Sequence, residues 1–206
     1  MMIGDPLEEE PVTAALRLPE KQEWTVDDLV GLPEDLRYEL IDGRLILPSP
    51  TGVHQILGVE LVLALRTGCP AGYAPVPGLS LKVSHRNEPR PDVVVIGLAH
   101  IGRSPAPVEG ALLAVEIISP DSHFRDMYAK AKVYAAAGVE NYWVLDPLFD
   151  DGIVLSQFRP GPGGDYEMVG STKDVFKTDV PFPVTIDLPA LTVLRRTMLD
   201  YAPEEA

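Results

Sequence analysis

Two short apolar runs, each carrying a carboxylate, constrain this 206-residue chain more than any other feature. One is Arg90-Pro91-Asp92-Val93-Val94-Val95-Ile96; the other is Ala114-Val115-Glu116-Ile117-Ile118-Ser119. Runs this rich in β-branched residues read as buried strands. An acid in or against such a strand is costly to keep ionised unless something positive compensates it. Two such acids on two neighbouring strands suggest a divalent-cation site. The competing reading is a plain ion pair, with Arg90 or Arg125 as the partner. For one acid alone the ion pair is the better reading, because structural ion pairs outnumber active sites. For the pair the metal reading leads.

The segments around these runs define an α/β order. Thr25 followed by Val26-Asp27-Asp28-Leu29 reads as a short N-capped helix with acids in its first turn. Asp42-Gly43 between Tyr38-Glu39-Leu40-Ile41 and Arg44-Leu45-Ile46-Leu47 is a strong hairpin signal. Apolar residues recur at helical spacing over residues 53–66. Strands are expected over residues 73–76 and 79–83, on either side of Pro77-Gly78. Residues 97–110 read as a Gly/Pro-rich loop. A helix is expected over residues 122–137, with Gly138 as the residue that ends it, then a strand over 141–145. Residues 112–145 therefore form a β-α-β unit with parallel strands. Residues 153–158 and 166–169 flank a Pro/Gly tip, and residues 182–194 read as extended, then a short helix. The fold class is mixed α/β (α+β): a mixed central sheet flanked by helices, with an added C-terminal β-hairpin.

Length and composition narrow the setting. The chain suits one domain, 23–198, between an acidic and disordered tail at 1–22 and an acidic tail at 199–206. Its hydrophobic fraction of 46% and charged fraction of 23% are those of a soluble globular protein. Cys69 is the single cysteine, which excludes an intrachain disulfide and a cysteine zinc cluster and suits a reducing, cytoplasmic compartment. No secretory signal and no membrane-spanning run is visible. The net charge of −14 argues against broad non-specific nucleic-acid binding.

Further residues could carry chemistry. Glu39 is a third acid, read alone as an exposed residue of its hairpin. Asp126, Lys130 and Tyr134, at i, i+4 and i+8, share one helix face. Lys130 is balanced between a surface pair with Asp126 and a cation that offsets negative charge near a metal or phosphate. Lys132 lies roughly 200° around the same helix and faces solvent. His54 could contact a phosphate or act as a general base, but the better reading is a polar helix-start residue. Tyr142-Trp143 reads as core, and Gly161-Pro162-Gly163-Gly164 lacks the lysine of a phosphate-binding loop.

Taken together and in order, these motifs resemble the Uma2 family: Tyr38-Glu39-Leu40-Ile41-Asp42-Gly43, His54, Arg90-Pro91-Asp92, Glu116-Ile117-Ile118-Ser119-Pro120, Asp126 with Lys130 and Tyr134, Ala137-Gly138-Val139, and Tyr142-Trp143-Val144-Leu145-Asp146-Pro147. That family belongs to the PD-(D/E)XK, restriction-endonuclease-like superfamily, and the likeness runs over residues 24–195. It implies a restriction-endonuclease-like core and a Mg²⁺-dependent endonuclease hydrolysing DNA phosphodiesters, with Mn²⁺ as a substitute ion. The implied catalytic residues are Asp92, Glu116 and Lys130. The implied ligands are Asp92, Glu116, Glu39 and the backbone carbonyl of Ile117, with His54, Asp126 and Tyr134 in support. The superfamily lysine two positions after the second acid is Ile118 here, so Lys130 would act from the following helix. A homodimer suits the cutting of two strands. The alternatives are a catalytically silent binding or assembly module on the same core, and a metal-dependent phosphoesterase with a non-DNA substrate.

Overall fold

A computed structural model describes residues 18–33, 36–119 and 124–201, with the side chains of 124–127 outside the description. The acidic stretch 1–17 and residues 202–206 also lie outside it. Among the described residues the chain opens with helix α1 (Val26–Leu29), whose Asp28 carboxylate accepts the Thr25 backbone N–H. Strands β1 (Glu39–Ile41) and β2 (Arg44–Ile46) form the expected hairpin. Its turn residues Asp42 and Gly43 take φ of 49° and 77°, the left-handed pair that a two-residue hairpin turn requires. Helix α2 (Gly52–Gly68) follows, started by the Thr51 hydroxyl accepting the His54 N–H.

Next come β3 (Tyr73–Pro77), the two-residue β4 (Leu81–Lys82), β5 (Val93–Gly97), the two-residue β6 (Ala106–Pro107), and β7 (Ala111–Ile117). Helix α3 (Phe124–Ala136), β8 (Tyr142–Asp146), β9 (Val154–Pro160) and β10 (Tyr166–Thr172) complete the central layer. The chain then forms β11 (Val175–Thr178), β12 (Val184–Asp187) and α4 (Leu188–Asp200). The six-stranded sheet has the order β10-β9-β8-β7-β5-β3. Within it β7 and β8 run parallel across α3, as the β-α-β pattern predicts, and β5 pairs antiparallel with β7.

Strand alternation divides the core. Val93 and Val95 of β5, Leu113, Val115 and Ile117 of β7, and Trp143 and Leu145 of β8 face α2, α4 and the β11–β12 hairpin. Val94, Ile96, Ala114, Tyr142 and Val144 face the other way and pack with Tyr134 of α3. Glu116 falls between Val115 and Ile117, so its side chain is sent to the α3 face. A third cluster, Trp24, Leu29 and Leu40, holds α1 against the β1–β2 hairpin.

The structure corrects several local expectations. The strand expected over residues 79–83 is only Leu81–Lys82, and it pairs in parallel with β6, inside the stretch read as loop. The added C-terminal β-hairpin is present as β11–β12, its first strand lying over residues not individually read as extended, and α4 is a full helix that runs to Asp200, into the stretch assigned to the acidic tail. The end of α3 follows expectation. Gly138 has φ +78° and its N–H bonds to Ala135 O, while the Val139 N–H bonds to Tyr134 O. Gly138→Ala should therefore cost about 1–2 kcal/mol in urea denaturation, the penalty of a β-carbon in left-handed backbone. An unchanged midpoint would contradict that account.

Candidate functional site

Asp92 stands at the entry to β5 and Glu116 near the exit of β7, so the antiparallel pairing of these two interior strands brings both acids to the same end of the sheet. The Asp92 Oδ2 accepts the Ile117 N–H at 2.7 Å, which ties the two strand ends together. His54 Nε2, from the first turn of α2, lies 3.3 Å from Asp92 Oδ2 and 3.1 Å from Ile117 O. Both neighbours are acceptors, so Nε2 carries the hydrogen. Burial disfavours the imidazolium, but the Asp92 carboxylate and the Ile117 carbonyl outweigh it and raise the His54 pKa. His54 is thus drawn into the site rather than serving only as a polar helix-start residue.

On the α3 side, Lys130 Nζ donates to Glu116 Oε2 at 2.7 Å and to Glu39 Oε1 at 2.9 Å. One turn on, Tyr134 OH donates to Glu116 Oε1 at 2.8 Å. The i, i+4 spacing of Lys130 and Tyr134 places both on the buried face of α3. Glu39, Glu116 and Lys130 are 7%, 5% and 8% exposed, so this is a buried charged triad rather than a surface pair. Burial, then the nearby Asp92 and Glu39, push the Glu116 carboxyl up, with Lys130 pulling it back. For Lys130, burial works against the ammonium, but Glu116, Glu39 and Asp92 overcome it and hold the pKa above the ordinary lysine value. The lysine is a cation at neutral pH.

The β1–β2 hairpin belongs to a separate two-stranded sheet, yet it delivers Glu39 to this centre. Glu39 is buried, not the exposed residue its alternating strand suggested, because residues 84–90 pack along the hairpin. The backbones of Leu40 and Glu88 exchange hydrogen bonds of 3.1 and 2.8 Å. Arg90 Nε donates to Tyr38 O at 3.3 Å and its NH1 to Gly78 O at 2.9 Å. The expected alternative of an Arg90–Asp92 ion pair is not realised. Glu88 is a further buried acid that sequence reasoning passed over; its Oε1 accepts from the hydroxyls of Ser80 at 2.8 Å and Tyr38 at 3.3 Å. Lys132 is exposed, with its Nζ 4.9 Å from the Tyr128 ring centroid. Asp126 and Arg125 have side chains outside the described residues.

Asp92, Glu116, Glu39, Lys130 and His54 line one cleft of about 300 Å³, with Ile118 and Ser119 in its wall. A larger depression of about 590 Å³ between the end of α2 and the β11–β12 hairpin is lined by none of these residues. Among the described residues no group of three or more His, Cys, Asp or Glu stands ready-made around an ion. The donor chemistry nonetheless fits a hard cation, being carboxylate and carbonyl oxygen throughout. Lys130 takes only Oε1 of Glu39, and both the Ile117 N–H bond and the His54 contact to Asp92 fall on Oδ2, which leaves an oxygen of each acid for a ligand. Glu116 uses both oxygens, and each retains a second lone pair.

Comparison with known proteins agrees with this architecture. The family Uma2, described as "Putative restriction endonuclease", matches residues 22–191. Among solved structures, a "putative nuclease belonging to DUF820" from Anabaena variabilis ATCC 29413 matches with a TM-score of 0.65 at 19% identity. The match covers 83% of this chain and 98% of that one, a likeness of fold. No curated protein matches the chain. Among the described residues no helix is long and apolar enough to cross a membrane.

Proposed function

This chain belongs to the Uma2 family, and from that premise we propose that it is a Mg²⁺-dependent endonuclease acting on DNA. The observation that carries the reading is the meeting of Asp92, Glu116 and Lys130 in one cleft, from a strand start, a strand end and the following helix. Asp92 and Glu116 would hold the ion, with Glu39 and the Ile117 carbonyl as further oxygen donors. When bound, the ion lowers the pKa of a water and polarises a phosphoryl oxygen.

The chain's own groups do the rest. His54 fixes the Oδ2 of Asp92 and the Ile117 carbonyl in one orientation. Tyr134 fixes Glu116. Lys130 brings an ammonium to the cleft where a hydrolysed phosphodiester gathers negative charge, and there it donates to the attacking water or to the phosphate oxygen. This is the part that Ile118, standing where the superfamily carries a lysine, has no group to play. A homodimer with two such clefts would cut both strands.

The test is a cleavage assay on supercoiled plasmid and linear duplex, with Mg²⁺, Mn²⁺ or chelator, beside single strands, RNA and a small phosphodiester. Cutting of duplex DNA with either ion, and none with chelator, is the expected result. A folded protein that cuts nothing and binds neither ion in calorimetry would instead be a silent module. Hydrolysis of the small ester alone would make it a phosphoesterase of another kind.

A further inference from the structure

The cleft is lined by four groups that carry or can carry positive charge: Arg37, His54, Arg90 and Lys130. Two of them are already matched by acids, Lys130 by Glu39 and Glu116, and His54 by Asp92. The two arginines are not. Among the described residues neither Arg37 nor Arg90 forms an ion pair with a carboxylate, although the chain carries 31 acids against 17 lysines and arginines. Arg90 is half-buried, and its fixed partners are the neutral carbonyls of Tyr38 and Gly78. A guanidinium has five N–H donors in a rigid fork. Those carbonyls take up one donor on Nε and one on NH1, which leaves three donors and the whole charge.

We propose that Arg90, with Arg37 at the exposed rim, binds the phosphate backbone of duplex DNA beside the acids of the cleft. The inference rests on the nuclease reading and adds the residues that hold the substrate. A guanidinium held by carbonyls keeps its plane fixed, and its free edge matches two phosphate oxygens. The site then has a division of labour. The acids, with Lys130 and His54 paired to them, gather at the strand ends with an excess of negative charge for a cation, while the two arginines that pair with no carboxylate lie on the hairpin side of the cleft. An acidic protein needs such local contacts, because its overall field repels DNA.

Counterion release supplies the test. Each phosphate contact contributes about 0.9 to the slope of log Kobs against log salt for duplex DNA. Binding of a fluorescein-labelled duplex would be followed by anisotropy between about 50 and 200 mM salt, with Ca²⁺ in place of Mg²⁺ so that the duplex stays whole. Arg90→Gln is expected to weaken binding roughly tenfold and to lower the slope by about 0.9, and Arg90→Lys to restore the slope. Mg²⁺ affinity by calorimetry should stay within about twofold, since the contact is to substrate and not to the ion. Arg37→Gln, at an exposed position that carries no folding risk, should lower the slope by a similar amount. A wild-type protein that binds duplex, with both glutamine variants keeping its slope, would overturn this inference alone. A wild-type protein that binds no duplex at all would overturn it together with the nuclease reading.

Discussion

Lys130→Met is expected to cost the metal-free protein about 3–5 kcal/mol of stability, the largest loss from any single change at the site. Methionine matches the length of the lysine stem and preserves packing on α3, so the loss isolates the charge. Lys130 is the cation between Glu116 and Glu39, both nine-tenths buried, and without it two carboxylates face each other in a poorly solvated space. The sign of the pH dependence follows. With the lysine gone, the folded-state pKa of Glu116 rises further above its ordinary 4.5. A carboxyl with a raised folded pKa holds its proton more tightly when folded. The variant's stability therefore declines as pH climbs from 4.5 toward its folded value, and its deficit against wild type widens only above the lower, already raised folded value that Glu116 keeps beside Lys130. Added Mg²⁺ should recover part of the loss, because an ion binding only the folded state stabilises it by mass action. Urea denaturation at two pH values, with and without Mg²⁺, measures all of this. A loss below about 1 kcal/mol at neutral pH would show that the triad contributes no more than a surface pair.

Asp92→Asn should do the opposite: keep the fold and remove the chemistry. Asp92 is held through Oδ2, which accepts the Ile117 N–H and lies 3.3 Å from His54 Nε2, itself bonded to the Ile117 carbonyl. An amide oxygen accepts the same N–H. What it cannot supply is negative charge for a divalent ion. Taking the lost charge stabilisation as about 4 kcal/mol, cleavage falls about a thousandfold and metal affinity falls with it, while the denaturation midpoint barely moves. An Asp92→Asn protein that cuts within about tenfold of wild type would remove Asp92 from the metal site.

How much of this was legible in the sequence depended on how local the signal was. The two acid-bearing runs, the Asp42-Gly43 turn and the Gly138 helix end are all written within a few neighbouring residues, and the structure has each of them. The burial of Glu39 is not local. It depends on residues 84–90 covering a three-residue strand and on Lys130, 91 positions away, reaching its carboxylate. His54 meets the Ile117 carbonyl across 63 positions, and nothing about a histidine at a helix start announces that. Lys130 was balanced between surface and site because spacing alone gives a helix face but not what the face meets. Strand β11 escaped notice because it presents one buried apolar residue, Phe176, among exposed and polar neighbours. The carbonyl partners of Arg90 were equally invisible, since backbone acceptors leave no trace in side-chain identity.

The alternation along β7 has one more consequence. Leu113, Val115 and Ile117 face the aliphatic residues Leu57, Leu61 and Leu65, while Glu116 faces the opposite layer. A slip of one residue against β5 would exchange these faces. Glu116 would then enter a wholly hydrocarbon layer, Ile117 would meet Lys130, and lysine and carboxylate would be stranded on opposite sides of the sheet. In a strand of valines and isoleucines alone the same slip would trade one greasy surface for another. The carboxylate makes the wrong alignment expensive, so the residue assigned to chemistry also proofreads the pairing of the strands that carry it.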